Sequence, residues 1–207
     1  MIKRLKQCQR CARFKRQFIR LRDSHPDYWN RPVAASGSPE APLAIVGLAP
    51  GMHGANRTGV PFRGDASGKL LFATLEKLSL TKFVMITNAV KCLPISNKPN
   101  GMEIDNCQVY LKRELLPQVG NTVILALGRV AHIAVLKAFD LQLSRFKFAH
   151  GAQHRVGESR LLVDSFHCSR YNIHTKRLTT TMFEQVVSHA ATIAGIKLTK
   201  RITSDNF

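Results

Sequence analysis

The chain has 207 residues, 44% of them hydrophobic and 21% charged, a balance typical of a globular domain that can bury a substantial core. No apolar run reaches the roughly 18–20 residues of a membrane helix, and the basic N-terminus has no apolar signal core, which disfavours membrane insertion and secretion. Lys and Arg number 31 against 13 Asp and Glu, a formal net charge of +18, which favours nucleic acid as the partner, although ribosomal and anionic-membrane proteins share such numbers.

The first 22 residues contain nine Lys or Arg and no acidic residue, interleaved with large apolar side chains. Disordered basic arms rarely carry so many apolar side chains, so this pattern predicts a basic amphipathic helix over about residues 1–22. Residues 23–42 are rich in Ser, Pro and Gly, which is typical of a loop or an extended arm.

Beyond residue 42, short apolar strands alternate with helices. The predicted strands are 43–48, 83–90, 122–127 and 161–166. The predicted helices are 69–80, 103–116, 129–139 and 176–194. This alternation is typical of an α/β fold with helices on both faces of the sheet. We therefore predict one domain over residues 1–207 with a central, mostly parallel four-stranded sheet.

Three polar loops follow the carboxyl ends of predicted strands: 49–68, 91–101 and 167–176. Ligands of parallel sheets bind beyond these ends, so we expect the loops to form one cleft. The segment 47–68 has six glycines, which allow a ligand to approach the backbone closely. Neither the P-loop spacing nor the dinucleotide-binding spacing is present, but a phosphate cradle, and with it a Mg²⁺-dependent nucleotide hydrolase, remains an alternative.

Five cysteines in a chain without an export signal favour metal-binding thiolates over disulfides. Cys8 and Cys11 form a C-x2-C pair, and fourteen residues separate Cys92 from Cys107. Four such thiolates suit zinc and an iron–sulfur cluster equally, and reduced structural thiols are the alternative. A metal centre here would attach the N-terminal helix to the core, with Cys168 left outside it.

Three motifs, in a fixed order along the chain, narrow the choice of protein family. Residues 47–68 contain GLAPG, HGANRTG and PFRGDASG; residues 86–92 read ITNAVKC; residues 166–179 read FHCSRYNIHTKRLT. These stretches resemble the three motifs of the uracil-DNA glycosylase superfamily, in its iron–sulfur branch. The first motif is similar to that of family 5 (type b), since Leu48 stands where the sister family 4 has Glu. The cysteine layout is also the one that this branch uses, and the resemblance extends from Cys8 to the final helix.

The resemblance implies a three-layer α/β/α sandwich, a [4Fe–4S] cluster and hydrolysis of the N-glycosidic bond of uracil in DNA after base flipping, with other deaminated bases as further candidate substrates. The implied cluster ligands are Cys8, Cys11, Cys92 and Cys107. We expect a monomer that binds DNA containing uracil or other damaged bases, has no membrane partner, and works in the cytoplasm at the nucleoid. A non-catalytic nucleic-acid-binding protein with a structural metal centre is the alternative.

The resemblance also suggests residues that bind the flipped base. Phe62 stands in the position of the family's stacking aromatic; a core Phe that anchors the loop is the alternative. Asn88 can offer a donor and an acceptor to the uracil edge, or it can instead hold a strand end. Asn97 is a weaker substitute for Asn88. Gly51 and His53 are the other candidates for the base pocket.

His167 is expected to donate a hydrogen bond to uracil O2 as negative charge builds there, although a lone His after a strand is usually structural. Asp65 is expected to orient water or to stabilise the developing sugar cation; its alternative role is an N-cap of the next helix. Asn56 and His53 are candidates for sharing that task through a bound water. The candidates for contact with the DNA phosphates are Arg57, Arg170, Lys176 and Arg177, any one of which could instead be a solvated surface charge. Asn172 could contact the backbone or insert into the duplex.

Overall fold

The computed structural model describes residues 5–116 and 122–198 and has a five-stranded sheet at its centre. The strands are β1 (Leu43–Gly47), β2 (Val84–Asn88), β3 (Thr122–Leu127), β4 (Gln153–Gly157) and β5 (Arg160–Ser165). Their order is β2–β1–β3–β5–β4, and every neighbouring pair is parallel except β4–β5. The α-helices are α1 (Ala12–Ser24), α2 (Ala55–Thr58), α3 (Ala66–Lys77), α4 (Gly101–Leu115), α5 (Arg129–Ala138), α6 (Arg170–His174) and α7 (Thr180–Ile193).

Helices cover both faces of this sheet. Strands β1, β2 and β3 are buried along their whole length, as apolar runs without alternation require. Ile45 of β1 belongs to the core that includes Leu75 of α3 and Phe183 of α7. The next residue, Val46, belongs to the opposite core, which includes residues of α4 and α5. The predicted three-layer α/β/α architecture is therefore confirmed.

The sheet has five strands, so the predicted count of four is wrong. The additional strand, β4, reads QHRVG, and Val156 is its one buried residue. It lies at the edge of the sheet and pairs antiparallel with β5. A strand that buries one apolar side chain has no apolar run for a sequence pattern to detect, because its position depends on hydrogen bonds to a neighbour.

The predicted N-terminal helix is not continuous: residues 5 and 6 are helical, and the helix resumes after an interruption. Residues 1–4 lie outside the described part of the chain, residues 8–11 are not helical, and α1 starts at Ala12. Phe14 and Phe18 bury one face of α1 against Cys92 and Cys107. Two further helices differ from their predicted bounds: α3 spans Ala66–Lys77 and not 69–80, and α7 begins at Thr180, where the Thr179 side chain accepts a hydrogen bond from the backbone of Met182.

The strand order places a crevice at the carboxyl ends of β1 and β3. From β1 the chain adds β2 on one side and then β3 on the other, which creates the topological switch at which α/β proteins bind ligands. Among the described residues, the helices are too short or too polar to cross a membrane.

Candidate active-site cleft

A cleft of about 520 Å³ lies at the carboxyl ends of the parallel strands. Each of the three loops expected to converge contributes to its lining: Asp65 from the first, Asn97 from the second and His167 from the third. The predicted convergence is therefore confirmed. Two further segments complete the wall, the turn between β3 and α5 with Arg129, and the connection to β4 with Phe148. Gly128, at the end of a predicted strand, is a sequence signal for the turn between β3 and α5. Nothing in the sequence indicated that Phe148 would line the cleft.

Phe62, Asn88 and His167 meet in this cleft. A Cβ atom built on Gly47 would lie 2.4 Å from Cζ of Phe62 and 2.5 Å from Oδ1 of Asn88, so both side chains lie against the backbone at the end of β1. The rings of Phe62 and His167 are nearly parallel, with centroids 6.2 Å apart. Phe62 has a φ of 58°, a strained value for an aromatic residue, which the surrounding loop holds in place.

The Asn88 amide is buried, yet its Oδ1 has no hydrogen-bond partner among the described protein atoms. A buried acceptor without a partner costs free energy, so such atoms are rare outside functional sites. Asn88 lines the cleft, which makes this oxygen an acceptor for a ligand N–H. An Asn that merely held the strand end would instead use its oxygen on the backbone.

Asp65 serves two purposes at once. Its Oδ1 accepts a 2.9 Å hydrogen bond from the backbone of Gly68, so the alternative role as N-cap of α3 is confirmed. Its Oδ2 lies beside the first loop, because a Cβ on Gly54 would approach it to 2.3 Å and one on Gly51 to 3.2 Å. One oxygen thus caps the helix, while the carboxylate still lines the cleft.

Burial lowers the pKa of His167 below its ordinary value, and the nearby Asp65 charge offsets only part of this effect. The imidazole is therefore neutral at pH 7. The backbone carbonyl of His167 accepts a 2.8 Å hydrogen bond from Nδ2 of Asn172, which also lines the cleft. Asn172 thus supports the His167 loop from within the protein.

The lowered pKa of His167 predicts the direction of a pH effect on folding. The unfolded chain takes up a proton near pH 6.5, while the folded chain resists it, so unfolding becomes easier as the pH falls through that value. We expect the urea midpoint to fall between pH 7.5 and 5.5 in the original chain and to fall less in His167→Gln. The exposed His189→Gln variant is the control and should follow the original chain; equal slopes in all three proteins would contradict this prediction.

Two of the predicted catalytic and base-binding residues lie outside the cleft lining. His53 is exposed, and its Nδ1 is 2.9 Å from the Tyr28 hydroxyl. Asn56 is completely buried, and its Nδ2 donates a 2.9 Å hydrogen bond to Oδ1 of Asn30. The predicted Gly51 does line the cleft. These positions follow from the folding of the first loop, which brings Gly51 and Asp65 inward.

The five candidates for DNA contact also separate. Arg177 lines the cleft with Asn172, and its guanidinium lies 4.6 Å from the centroid of the Phe166 ring. Arg57, Arg170 and Lys176 are exposed. Exposed cations suit contacts with phosphates but do not by themselves assign them.

Packing of the first loop makes Gly68 intolerant of a side chain. A Cβ at this position would lie 1.5 Å from the carbonyl oxygen of Phe62, whereas one on Gly101 would meet nothing within 4 Å. We expect Gly68→Ala to lower the free energy of unfolding by about 1–3 kcal/mol or more, through steric overlap. Gly101→Ala, also in the first turn of a helix, should be neutral or stabilising. Urea denaturation measures both, and equal stabilities would contradict the packing described here.

Four of the five cysteines line a second cavity, of about 470 Å³. They are Cys8, Cys11, Cys92 and Cys107. Nδ2 of Asn106 is 3.4 Å from Sγ of Cys11, and the Lys91 backbone nitrogen is 3.5 Å from Sγ of Cys107. Burial raises the pKa of Cys107 to about 11 and also raises that of Cys92. Cys168 is buried elsewhere, with Sγ 3.6 Å from the Ser67 carbonyl oxygen.

The four thiols are not drawn together around a point. A metal ion needs several ligand atoms close together. Within residues 5–116 and 122–198, one group of three ligand-type residues has its ligand atoms within 4.8 Å of one another, and it contains no cysteine: His132, His154 and Asp164. Thiolates on one tetrahedral zinc ion lie about 3.8 Å apart. The cysteine cavity therefore lacks the geometry of a single-zinc site.

Comparison with known proteins shows the family of the chain. Residues 34–191 match the family model described as the uracil DNA glycosylase superfamily. A type-5 uracil-DNA glycosylase of Thermus thermophilus is 42% identical over 184 residues, 82% of this chain and 83% of the relative. A type-5 uracil-DNA glycosylase of Pyrobaculum aerophilum is 37% identical over 212 residues, which cover 94% of this chain and 92% of the relative. A type-4 uracil-DNA glycosylase of Archaeoglobus fulgidus is 36% identical over 126 residues, which cover 60% of this chain and 62% of the relative. The resemblance to family 5 is thus confirmed, and the chain belongs to the uracil DNA glycosylase superfamily.

Proposed function

We propose that the chain is a DNA repair glycosylase, which hydrolyses the N-glycosidic bond of uracil in DNA after the base has flipped out of the duplex. The unpartnered Oδ1 of Asn88 carries this proposal, because it lies in one cleft with the Phe62 ring and the His167 imidazole. A flipped base needs an aromatic face for stacking and polar groups for its Watson–Crick edge, and the cleft offers both. The names of the relatives point to the same substrate.

The base-binding roles follow from the side chains. We assign Phe62 to stacking on the base and Oδ1 of Asn88 to accepting from N3–H, while the Asn88 amide N–H donates to O4. Gly51 keeps the approach to the cleft free of side-chain atoms. Asn97 is a further polar group in the same lining. His53 and Asn56 lie outside the cleft lining, where they contact Tyr28 and Asn30. Their predicted roles, base binding for His53 and a shared water for both, therefore have less support than those of Phe62 and Asn88.

The chemical step requires stabilisation of a departing base anion and of a developing sugar cation. A neutral His167 donates a hydrogen bond to O2 as charge builds there, and burial, which lowers its pKa, favours this form. The Asp65 carboxylate, with its Oδ2 beside the first loop, orients water or stabilises the cation. Both interactions strengthen as charge develops, so they favour the transition state over the bound substrate.

DNA is the polyanion that best explains the net charge of +18. We propose that Arg57, Arg170, Lys176 and Arg177 contact phosphates around the flipped nucleotide, with Asn172 supporting the same loop. The cleft volume of about 520 Å³ also leaves room for bases larger than uracil, so we include other deaminated bases such as hypoxanthine among the candidate substrates.

A release assay tests the proposed activity. Single- and double-stranded oligonucleotides containing uracil, hypoxanthine or no lesion are incubated with the chain in EDTA, and free base is measured. We expect uracil release without Mg²⁺. DNA binding without release would instead favour the non-catalytic alternative, and activity that required Mg²⁺ would favour a nucleotide hydrolase.

We further propose that Cys8, Cys11, Cys92 and Cys107 hold a [4Fe–4S] cluster. The support is a donor set of four thiols around one cavity, which cluster iron prefers as ligands. When bound, the cluster would act as a structural crosslink between the segment before α1, the loop after β2, and α4. Phe14 and Phe18 already pack α1 at this place.

The cluster has a direct spectroscopic test. We expect the chain purified without oxygen to show a broad absorption band near roughly 400 nm with about four irons per chain. Cys107→Ser should lose the band, whereas Cys168→Ser, outside the cavity, should keep it. Stoichiometric zinc without the band would overturn the assignment.

A further inference from the structure

A buried group of three ligand-type side chains lies beside the cleft but outside the proposed chemistry. Asp164, near the end of β5, is completely buried. Its Oδ1 is 2.8 Å from Nδ1 of His132 in α5, and its Oδ2 is 3.2 Å from Nε2 of His154 in β4. The ligand atoms of the three residues all lie within 4.8 Å of one another. Three separate elements thus bring two imidazoles to one carboxylate.

The contacts of His132 and the burial of Asp164 favour a cation in this group. Nε2 of His132 is 3.2 Å from the carbonyl oxygen of Phe146, which can only accept, so Nε2 carries a hydrogen. In a neutral ring, Nδ1 would then direct a lone pair at a carboxylate oxygen 2.8 Å away. Two acceptors at that distance need a positive charge between them, and a completely buried carboxylate needs one as well. The cation is either a proton or a metal ion.

We propose that His132, His154 and Asp164 bind a divalent transition-metal ion such as Zn²⁺. Two imidazole nitrogens and one carboxylate oxygen form a donor set that this class of ion prefers. The Phe146 carbonyl supplies the outer hydrogen bond that orients a metal-bound histidine and keeps its other nitrogen deprotonated. This site is separate from the cysteine cavity and uses nitrogen and oxygen instead of sulfur.

The distances allow an ion after a small expansion. Ligand atoms around a tetrahedral zinc ion lie about 3.4 Å apart, given metal–ligand bonds of about 2.1 Å. The Nδ1–Oδ1 separation of 2.8 Å would therefore open by roughly 0.6 Å, and the other pairs of ligand atoms, which lie within 4.8 Å of one another, would shift by roughly 1.4 Å at most. His132 also lines a cavity of about 620 Å³.

A bound ion would stabilise one wall of the cleft. Phe148 and Arg177 line both the cleft and the cavity beside His132. The ring of Phe148 packs edge-on against the His132 ring, with centroids 5.6 Å apart. Metal binding would therefore hold α5, β4, β5 and the Phe146–Phe148 backbone together without taking part in glycosidic cleavage.

Titration of the full chain with Co²⁺ tests this proposal, because Co²⁺ bound to nitrogen and oxygen has visible d–d bands without the near-ultraviolet charge-transfer band of thiolate ligation. We expect one equivalent of Co²⁺ with this signature. It should be lost in Asp164→Asn and in His154→Gln, which changes the most accessible of the three residues. His189→Gln, an exposed histidine on α7, is the matched control and should keep it.

Thermal unfolding gives an independent measurement in case a variant folds poorly. At a Zn²⁺ concentration about 100-fold above its dissociation constant, we expect Tm of the original chain and of His189→Gln to rise by about 5–10 °C. His154→Gln should lose this rise. If the original chain shows only thiolate-bound Co²⁺, or if His154→Gln binds Co²⁺ and responds to Zn²⁺ like the control, the metal site is refuted and a proton bridges the group.

Discussion

Replacing Asp65 by asparagine should lower the rate of uracil excision by about 100- to 1,000-fold while the fold and the affinity for DNA are retained. The carboxylate lies with Oδ2 beside Gly51 and Gly54 in the cleft, where it can orient water or stabilise positive charge on the sugar. Asparagine has nearly the same shape but no negative charge. It is also a good N-cap, so its side-chain oxygen can still accept from Gly68 and keep α3 intact.

This substitution therefore separates the two roles of Asp65. Single-turnover excision and equilibrium binding to uracil-containing DNA are the measurements, with urea denaturation as a check on folding. Asp140→Asn removes an exposed carboxylate that pairs with Lys112 and serves as the control for lost charge. An excision rate equal to that of the control would leave Asp65 with the capping role alone.

His167→Ala is the second substitution for which we expect a loss of about 100- to 1,000-fold in excision. The imidazole is next to the Phe62 ring in the cleft, and burial keeps it neutral, with an N–H available for uracil O2. Alanine removes the donor that we propose for uracil O2, the atom where negative charge develops. Binding of DNA should persist, because the backbone contacts that we propose come from other residues of the loops.

A second variant tests whether the loss of a hydrogen bond causes the slower excision by His167→Ala. His167→Gln restores an N–H donor without an imidazole, so it should recover part of the lost rate if donation to O2 matters. His174→Ala, an exposed histidine of α6, controls for changes in the same loop. Full activity of His167→Ala, or no difference between the alanine and glutamine variants, would argue against the proposed donor.

Much of the cleft could be predicted because its components follow strand ends. The apolar runs of β1, β2 and β3 are buried on both faces, so they are visible in the sequence as continuous hydrophobic segments. Parallel strands place their carboxyl ends at one edge of the sheet. Phe62, Asn88 and His167 therefore meet although more than a hundred residues separate the first from the last.

Orientation within the first loop could not be predicted in the same way. The sequence suggested His53 and Asn56 as partners of the catalytic water, but His53 is exposed beside Tyr28 and Asn56 bonds to Asn30. Short-range motifs specify which residues share a loop. Long-range contacts with the segment before β1 decide which of those side chains turn inward.

The amino-acid sequence by itself determined the α/β class, the loops that form the cleft and the family, because these depend on apolar periodicity and on residues at fixed spacing. Only the tertiary structure decided the edge strand β4, the wall that contains Phe148, and the convergence of His132, His154 and Asp164. Each of these depends on hydrogen bonds and packing between segments distant in the chain, which leave no local pattern in the sequence.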